Sequence, residues 1–201
     1  MITTVSKTEI HHLVDPLISS NYSPVGIMQD SYIIRNADPE EFPFVGSLMV
    51  DVYSSLKGFF SKEELPSYYN VLTNIGDLTK KPGTEILVAA NGNSIAGALV
   101  YFNDMKYYGA KGTAMDEKNA AGFRFLAVDN NARGLGLGKK LTIACIHKTK
   151  EQGLSQLIIH STKAMQTAMD MYLRIGFKRS PDLDFMQGDL HVHGFRFTIP
   201  G

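Results

Sequence analysis

Apolar residues recur along the chain with two different periods, which predicts short strands separated by amphipathic helices. Runs rich in Val, Ile, Leu and Phe predict strands over residues 32–35, 85–90, 94–102, 123–128, 157–160, 177–179 and 192–199. Spacings of three and four predict helices over residues 38–52, 63–75, from 131 or 132 to 152, and 163–175. The predicted element order is β-α-α-β-β-β-α-β-α-β-β.

Turn-forming residues separate these elements. Asp38 followed by Pro39 suits the start of the first helix. The sequence NGN at residues 91–93 predicts a hairpin between two strands. Residues 103–121 form a long polar loop, and a loop of that length is often functional or mobile.

A glycine-rich segment, RGLGLGK at residues 133–139, lies between a predicted strand and a predicted helix. The start of a helix has unpaired N–H groups and a positive dipole end, and glycine lets an anion approach them closely. The segment therefore predicts a phosphate-binding loop, and a simple helix-capping turn is the alternative. Its spacing fits neither a P-loop nor the dinucleotide motif GxGxxG.

What the spacing does fit is Arg-x-x-Gly-x-Gly, at Arg133, Gly136 and Gly138. This resembles the acetyl-CoA-binding motif of the GNAT superfamily of N-acetyltransferases. A second segment, AMDMYLRIGF at residues 168–177, resembles the other signature of that superfamily, a helix that ends in Tyr-x-x-x-Gly-Phe. The resemblance covers residues 32–199, is specific over 123–177, and is closest to a bacterial subgroup whose acceptors are unassigned.

The resemblance implies an α/β fold with a mixed, mainly antiparallel sheet of six to seven strands. Helices cover both faces of that sheet, and two central strands splay apart. We therefore expect a GNAT domain over residues 31–201, preceded by an N-terminal extension over 1–30. That extension is predicted to be an arm, a lid or a contact in a homodimer.

Composition narrows the function classes. The chain has 201 residues, 44% of them hydrophobic, and a formal net charge of zero, which predicts one globular domain without a dedicated nucleic-acid surface. The single cysteine, Cys145, excludes an internal disulfide and fits a reducing compartment. Since we find neither a signal peptide nor an apolar stretch that would span a membrane, we expect a cytoplasmic protein.

The resemblance also implies acetyl-CoA as the acyl-donor substrate, and no metal. The pantetheine arm would lie along the third long strand, and the pyrophosphate would bind the backbone of the glycine-rich segment. Many relatives have Asn where this chain has Met165, and a hydroxyl of Ser161 or Thr162 is the expected replacement. The residues expected to bind the donor are Leu126, Ala127, Val128, Arg133, Gly134, Leu135, Gly136, Leu137, Gly138, Lys139 and Thr162.

For catalysis, the resemblance implies that Tyr172 protonates the coenzyme A sulfur. Many relatives use a Glu on the strand before the glycine motif as the base, but residues 121–125 contain no carboxylate. His160 is the first candidate for that base, with a structural histidine as the alternative. Weaker candidates are Glu85, Asp104, His191 and His193, and the remaining alternative is that no side chain serves.

The acceptor is expected to be a primary amine, first of all on a small molecule. Aromatic residues of the first two helices and their connection are candidates for lining its pocket, although most suit an ordinary core. These residues are Tyr53, Phe59, Phe60, Tyr68 and Tyr69. The alternatives are a transferase for protein lysines or N-termini, and a non-catalytic module that binds acyl-CoA.

Overall fold

The computed structural model describes residues 32–200, so the predicted extension over 1–30 lies outside the described residues. The strands are β1 (Ile33–Asn36), β2 (Thr84–Asn91), β3 (Ser94–Phe102), β4 (Ala120–Val128), β5 (Gln156–Thr162), β6 (Lys178–Arg179), β7 (Phe185–Gln187) and β8 (Leu190–Thr198). The helices are α1 (Phe42–Ser54), α2 (Pro66–Thr73), α3 (Leu137–Glu151) and α4 (Gln166–Ile175).

The strands form a single sheet in the order β1-β2-β3-β4-β5-β8-β6, and β7 also pairs with β8. Every neighbouring pair is antiparallel except β4 and β5. The mixed, mainly antiparallel sheet is therefore confirmed. Over residues 32–200 the sheet has eight strands rather than six or seven, because the short segment β7 forms a hairpin with the start of β8.

Helices cover both faces of the sheet, as predicted, and a separate apolar core lies under each face. The core on one face includes Val45 and Met49 of α1 together with Tyr69 and Leu72 of α2. The other core contains residues of α3 and α4, namely Leu137, Leu141, Cys145, Met169 and Tyr172. Cys145 is fully buried there, and burial raises the pKa of its thiol well above the usual value, which fits the expected packing role.

The helix after the glycine-rich segment begins later than predicted. We expected it to start at residue 131 or 132, but α3 starts at Leu137. Asn130–Ala132 forms a separate 3-10 turn, and Gly134 and Gly136 both have positive φ angles, +84° and +73°. Because α-helical residues need negative φ, these glycines keep the segment outside the helix as a loop.

The central strands β4 and β5 pair only over three residues each, Ala120 to Gly122 with Gln156 to Ile158. Beyond Gly122, β4 continues to Val128 beside β3 alone, while β5 continues to Thr162 beside β8. The predicted splay of two central strands is therefore present. It opens a gap in the middle of the sheet, next to the N-terminus of α3.

The described helices are also short. The longest is α3 with 15 residues, and none between residues 32 and 200 is long and apolar enough to span a membrane.

Candidate active site

A cleft of about 630 Å³ begins in the gap between β4 and β5. Its walls come from the end of β4, the glycine-rich segment and one side of α4. The predicted site residues that line it are Leu126, Val128, Arg133, Gly134, Gly136, Leu137, Gly138, Lys139, His160 and Tyr172. Parts of the chain that are separated by almost 50 residues thus meet around one space, as the two sequence motifs predict.

The glycine-rich end of the cleft has an unusual number of free donors. The backbone N–H groups of residues 134–139 donate no hydrogen bond within the described part of the chain, and the first helical bond runs from Lys140 N to Gly136 O. A Cβ atom added at Gly134 or Gly136 would meet nothing within 4 Å. Open space, consecutive free N–H groups and the positive end of α3 together suit a pyrophosphate.

Two details of this loop differ from the expected contacts. The Arg133 N–H is already used, because it donates to Asn130 O at 3.4 Å, so the free donors begin at Gly134. Leu135 is 51% exposed and does not line the cleft, so any contact it makes with the donor would involve its free N–H group. Arg133 and Lys139 line it with exposed side chains, which places two cations beside the free N–H groups.

Strand β4 has an irregular register where it borders the cleft. Val100 pairs with Arg124 and Ala98 with Ala127, so two residues of β4, Phe125 and Leu126, lie opposite a single residue of β3. Phe125 has φ of +59°, a strained value for a bulky residue that marks a bulge. The bulge expected near Leu126 is therefore present, and it turns part of the β4 backbone toward the gap.

Side chains around the bulge alternate between the cleft and the core. Leu126 and Val128 line the cleft, whereas Ala127 is only 1% exposed and packs in the core. Any contact of Ala127 with a ligand would therefore involve its backbone. Beyond Gly122 the β5-facing edge of β4 has no partner strand among the described residues, so an extended ligand can lie along it as an added strand does.

Tyr172 lies in α4 with its ring between Phe123 and Phe177, at centroid distances of 5.9 and 5.6 Å. The residue is 4% exposed, and burial raises the pKa of its hydroxyl well above the usual value. That hydroxyl has no hydrogen-bond partner among residues 32–200. A protonated phenol without a competing partner, on the wall of the cleft, is suited to donate a proton to a ligand.

A second cavity of about 380 Å³ adjoins the cleft on the side of α1 and α2. The two spaces share the lining residues Tyr53, Arg124, Phe125, His160 and Met165. Of the aromatic residues predicted for an acceptor pocket, Tyr53, Phe59 and Tyr68 line this cavity. Tyr69 is fully buried and its hydroxyl donates to Phe60 O at 2.9 Å. Neither residue lines the cavity, so both have a structural role.

His160 lies on the wall shared by both spaces, but both of its ring nitrogens have protein partners. Nε2 is 2.9 Å from Leu183 O, and Nδ1 is 3.1 Å from the Tyr108 hydroxyl. Burial lowers the pKa of His160 to about 4, so the ring is neutral at pH 7. In this geometry His160 matches the structural alternative better than it matches a free base.

The other predicted polar contacts also fall in unexpected places. Thr162 lines the second cavity rather than the cleft, and its hydroxyl is buried without a hydrogen-bond partner among the described residues. The Ser161 hydroxyl is likewise buried and unpartnered. Met165 lines both spaces.

The weaker candidates for a base lie outside both cavities and have partners of their own. Glu85 pairs with Lys148 at 2.9 Å, and Asp104 pairs with Lys106 at 2.8 Å. His191 and His193 lie beside Asp184, whose carboxylate is bound by Arg179. A carboxylate oxygen of Asp184 and one ring nitrogen of each histidine all lie within 4.8 Å of one another. Neither cavity has an Asp or a Glu in its described lining.

The sequence patterns assigned no role to Arg124, which lines both spaces, or to Tyr108, which lines the second cavity. Nη1 of Arg124 donates to Tyr108 O at 2.8 Å and to Gly109 O at 2.6 Å. Its guanidinium lies 4.5 Å from the centre of the Phe125 ring. The only signal in the sequence is a charged residue inside an otherwise apolar strand.

Known proteins resemble this chain in sequence and in fold. The model of the acetyltransferase (GNAT) family matches residues 49–177. Human N-acetyltransferase 8B is 30% identical over 79 residues, which are 37% of this chain and 35% of that protein. Mycothiol acetyltransferase of Paenarthrobacter aurescens is 38% identical over 65 residues, 32% of this chain and 20% of that protein. The matches thus span about a third or less of these curated relatives.

Solved structures agree over more of the chain. An acetyltransferase of the GNAT family from Staphylococcus aureus superposes with a TM-score of 0.63 at 17% identity, covering 85% of this chain and 100% of that one. An acetyltransferase from Salmonella typhimurium, solved with its cofactor acetyl-CoA, has a TM-score of 0.59 at 13% identity, covering 84% and 94%. An N-acetyltransferase from Thermoplasma acidophilum, solved with coenzyme A, has a TM-score of 0.62 at 14% identity, covering 82% and 98%. These similarities show a shared fold.

Proposed function

Because the chain belongs to the GNAT acetyltransferase family, we propose that it transfers an acetyl group from acetyl-CoA to a primary amine by direct attack in a ternary complex. The observation that carries this proposal is the row of free N–H groups over residues 134–139, which opens into the same cleft as Tyr172. In the proposed complex, acetyl-CoA lies in the cleft and the acceptor enters through the second cavity.

The residues present fit the donor. The free N–H groups and the flanking cations Arg133 and Lys139 would hold the pyrophosphate. The unpaired edge of β4 would hold the pantetheine arm through backbone hydrogen bonds. The bulge at Phe125 and Leu126 would direct an N–H group at the thioester oxygen, where negative charge develops during attack.

In the transfer step the amine nitrogen forms a bond to the carbonyl carbon, and the bond from that carbon to sulfur breaks. The nitrogen loses one proton and the departing sulfur gains one. Tyr172 is the proposed donor of the second proton, since its phenol is protonated and unpartnered at neutral pH. It would be reprotonated from solvent after the products leave.

The described lining of the two cavities offers no carboxylate to take a proton from the amine nitrogen, and His160 is engaged on both nitrogens. We propose that the site lowers the pKa of the amine instead of supplying a base. Burial in an apolar cavity and the nearby Arg124 guanidinium both disfavour an ammonium ion, so a larger fraction of the amine is neutral. Water takes the ammonium proton before or during binding, and water also takes the proton that the nitrogen loses in the transfer step, which balances the later reprotonation of Tyr172.

One observation favours a second candidate, a non-catalytic module that binds acyl-CoA: the described lining of both cavities lacks a carboxylate. An acceptor on a protein lysine or N-terminus stays the alternative within catalysis. Cytoplasmic location and a dimer contact through residues 1–30 stay predictions from the sequence.

Two measurements test the proposal. Melting curves with acetyl-CoA, coenzyme A and NAD should show stabilisation by the two coenzyme A species alone, about 2.7 kcal/mol at 100 times the Kd. Release of free thiol from acetyl-CoA in the presence of an amine panel then reports turnover. Stabilisation without turnover on any amine or peptide would favour the module, and no stabilisation would contradict both candidates.

A further inference from the structure

We infer that the acceptor is a primary amine with a carboxylate close to its nitrogen and an apolar, preferably aromatic, body, as in an α-amino acid. This inference rests on the proposed function, because the second cavity is an acceptor site only if acetyl transfer takes place in the cleft beside it. It names the substrate class that the cavity would select.

The charge of the second cavity is one-sided. Its lining includes Lys81, Lys111 and Arg124, and none of the described residues in it is an Asp or a Glu. None of these three cations forms an ion pair with any residue between 32 and 200. An anionic group on the acceptor would be attracted by all three, whereas a polyamine would be repelled.

Arg124 places the anion next to the amine. Nη1 is held by the carbonyl groups of Tyr108 and Gly109, and the guanidinium packs against the Phe125 ring, so its position is determined by the protein. Its Nη2 and Nε groups donate no hydrogen bond to a described residue. Since Arg124 lines both the cleft and the second cavity, a carboxylate bound there lies at their junction.

The reacting nitrogen must lie at that same junction, because the thioester reaches the acceptor only where the two spaces meet. In an α-amino acid, the amine and the carboxylate share one carbon atom. That compound class therefore satisfies both positions at once. A carboxylate at the far end of a long chain would have to use Lys81 or Lys111 instead.

The rest of the second cavity suits an apolar body. Eight of its lining residues carry phenyl or phenol rings, which favour an aromatic or aliphatic side chain, and Tyr53, Phe59, Tyr68 and Phe125 are among them. Its volume of about 380 Å³ lies in the range of small-molecule sites, about 300–1,000 Å³. The buried, unpartnered Thr162 hydroxyl is one polar group in this wall that a ligand can satisfy.

The test compares pairs of amines that differ only by the carboxylate: phenylalanine with phenethylamine, tyrosine with tyramine, and leucine with isopentylamine. Spermidine serves as an amine without an anion. Thiol release from acetyl-CoA gives kcat/KM for each. We expect the amino acid of at least one pair to exceed its decarboxylated partner by tenfold or more, and spermidine to be the poorest acceptor.

Variants assign the preference to Arg124. In Arg124→Gln the ratio within a pair should fall toward one, and Arg124→Lys should retain part of it. The matched control is Lys80→Gln, since Lys80 is exposed, pairs with Asp77 and lies outside the cavity, so the ratio should not change. Stability of each variant is checked by its melting temperature.

The outcomes separate this inference from the proposed function. Turnover of decarboxylated amines or spermidine as fast as the amino acids would overturn the inference and leave acetyl transfer intact. If no amine is turned over, melting curves with coenzyme A plus each pair member decide: an added shift with the amino acid alone supports the inference, and equal or no added shift overturns it. Absence of any shift with coenzyme A would contradict the proposed function itself.

Discussion

The Tyr108 hydroxyl lies 3.1 Å from Nδ1 of His160, on the wall between the two cavities. Nε2 of the same ring faces the Leu183 carbonyl oxygen, which can only accept a hydrogen bond, so Nε2 carries the ring proton. Nδ1 then accepts from the Tyr108 hydroxyl, which lies closer to it than to its second acceptor, Phe123 O, at 3.4 Å. The pair thus holds His160 as one neutral tautomer and ties the loop after β3 to the end of β5.

This arrangement predicts loss of stability in mild acid. The folded pKa of His160, about 4, lies below the ordinary value of 6.5, so the unfolded chain binds more protons between these two values. The contribution of neutral His160 to the free energy of unfolding is complete above pH 6.5 and is lost as the pH falls toward 4, by up to about 3 kcal/mol. Urea unfolding at pH 7.5, 6.0 and 5.0 measures this loss of stability.

The control for this prediction is His160→Gln, which removes the titrating group. The decline between pH 7.5 and 5.0 should be shallower in the variant, whatever its stability at pH 7.5. The lowered pKa values of Glu41 and Asp184, about 2, mean that their ion pairs weaken only in stronger acid. Parallel curves for variant and wild type would show that His160 is not the group responsible.

Tyr108 can occupy this position because residue 122 is glycine. A Cβ atom at Gly122 would lie 2.6 Å from Cε2 of Tyr108 and 2.9 Å from Sδ of Met105. Gly122→Ala should therefore displace the Tyr108 ring and cost about 1–3 kcal/mol of unfolding free energy, as overpacking of a core does. Equilibrium unfolding in urea measures the loss.

Gly97→Ala is the matched control, because Gly97 lies in the adjacent strand β3 and its Cβ would come no closer than 3.3 Å to its neighbours. We expect a smaller loss there. Gly122→Ala should also raise the KM for the amine acceptor more than the Kd for acetyl-CoA, since the displaced ring lines only the second cavity. Equal losses in both variants would argue against the close packing of Tyr108 on Gly122.

The fold could be predicted from the sequence wherever periodicity or turn residues left one solution. The hairpin at Asn91 to Ser94, the buried face of α3 and the left-handed Gly176 follow from such signals. The predicted start of α3 was wrong because apolar periodicity does not report φ. Two glycines with positive φ precede the helix, which therefore begins only at Leu137. Strand β7 was missed because three residues carry too short a pattern.

The candidate site was also predictable only in part. The geometry of a contiguous motif such as residues 133–139 can be predicted from the sequence, because the backbone N–H groups at a helix start act together. Arg124 is held instead by carbonyl groups 15 and 16 positions earlier in the chain, and Tyr108 by a histidine 52 positions later. Side-chain contacts across such distances depend on loop paths, which local patterns do not encode.

The glycines at the two ends of α3 allow the phosphate-binding role to be separated from folding. Gly136 and Gly153 have nearly equal φ angles, +73° and +69°, and a Cβ at either would meet nothing within 4 Å. Alanine should therefore cost about 1–2 kcal/mol of stability at each position. Only Gly136 lines the cleft, so Gly136→Ala alone should weaken coenzyme A binding.

Isothermal titration of the two variants with coenzyme A makes this comparison. We expect a Kd at least several-fold higher for Gly136→Ala and an unchanged Kd for Gly153→Ala. Equal weakening would mean that binding responds to the stability of α3 as a whole. Unchanged binding in both would return residues 133–139 to a helix-capping turn.

Tyr172→Phe tests the proposed proton donor, and its structural cost should be small. The ring contacts with Phe123 and Phe177 remain, and the hydroxyl has no partner to lose among the described residues. The melting temperature and the Kd for acetyl-CoA should therefore stay near those of the wild type. If the phenol protonates the departing sulfur, kcat should fall by about 10²–10⁴-fold, the usual contribution of general acid catalysis.

A parallel Tyr101→Phe variant serves as the control, because that hydroxyl bonds to Gln152 outside the cleft and should affect stability rather than kcat. An unchanged kcat in Tyr172→Phe would assign the sulfur's proton to water and leave Tyr172 as a core aromatic residue.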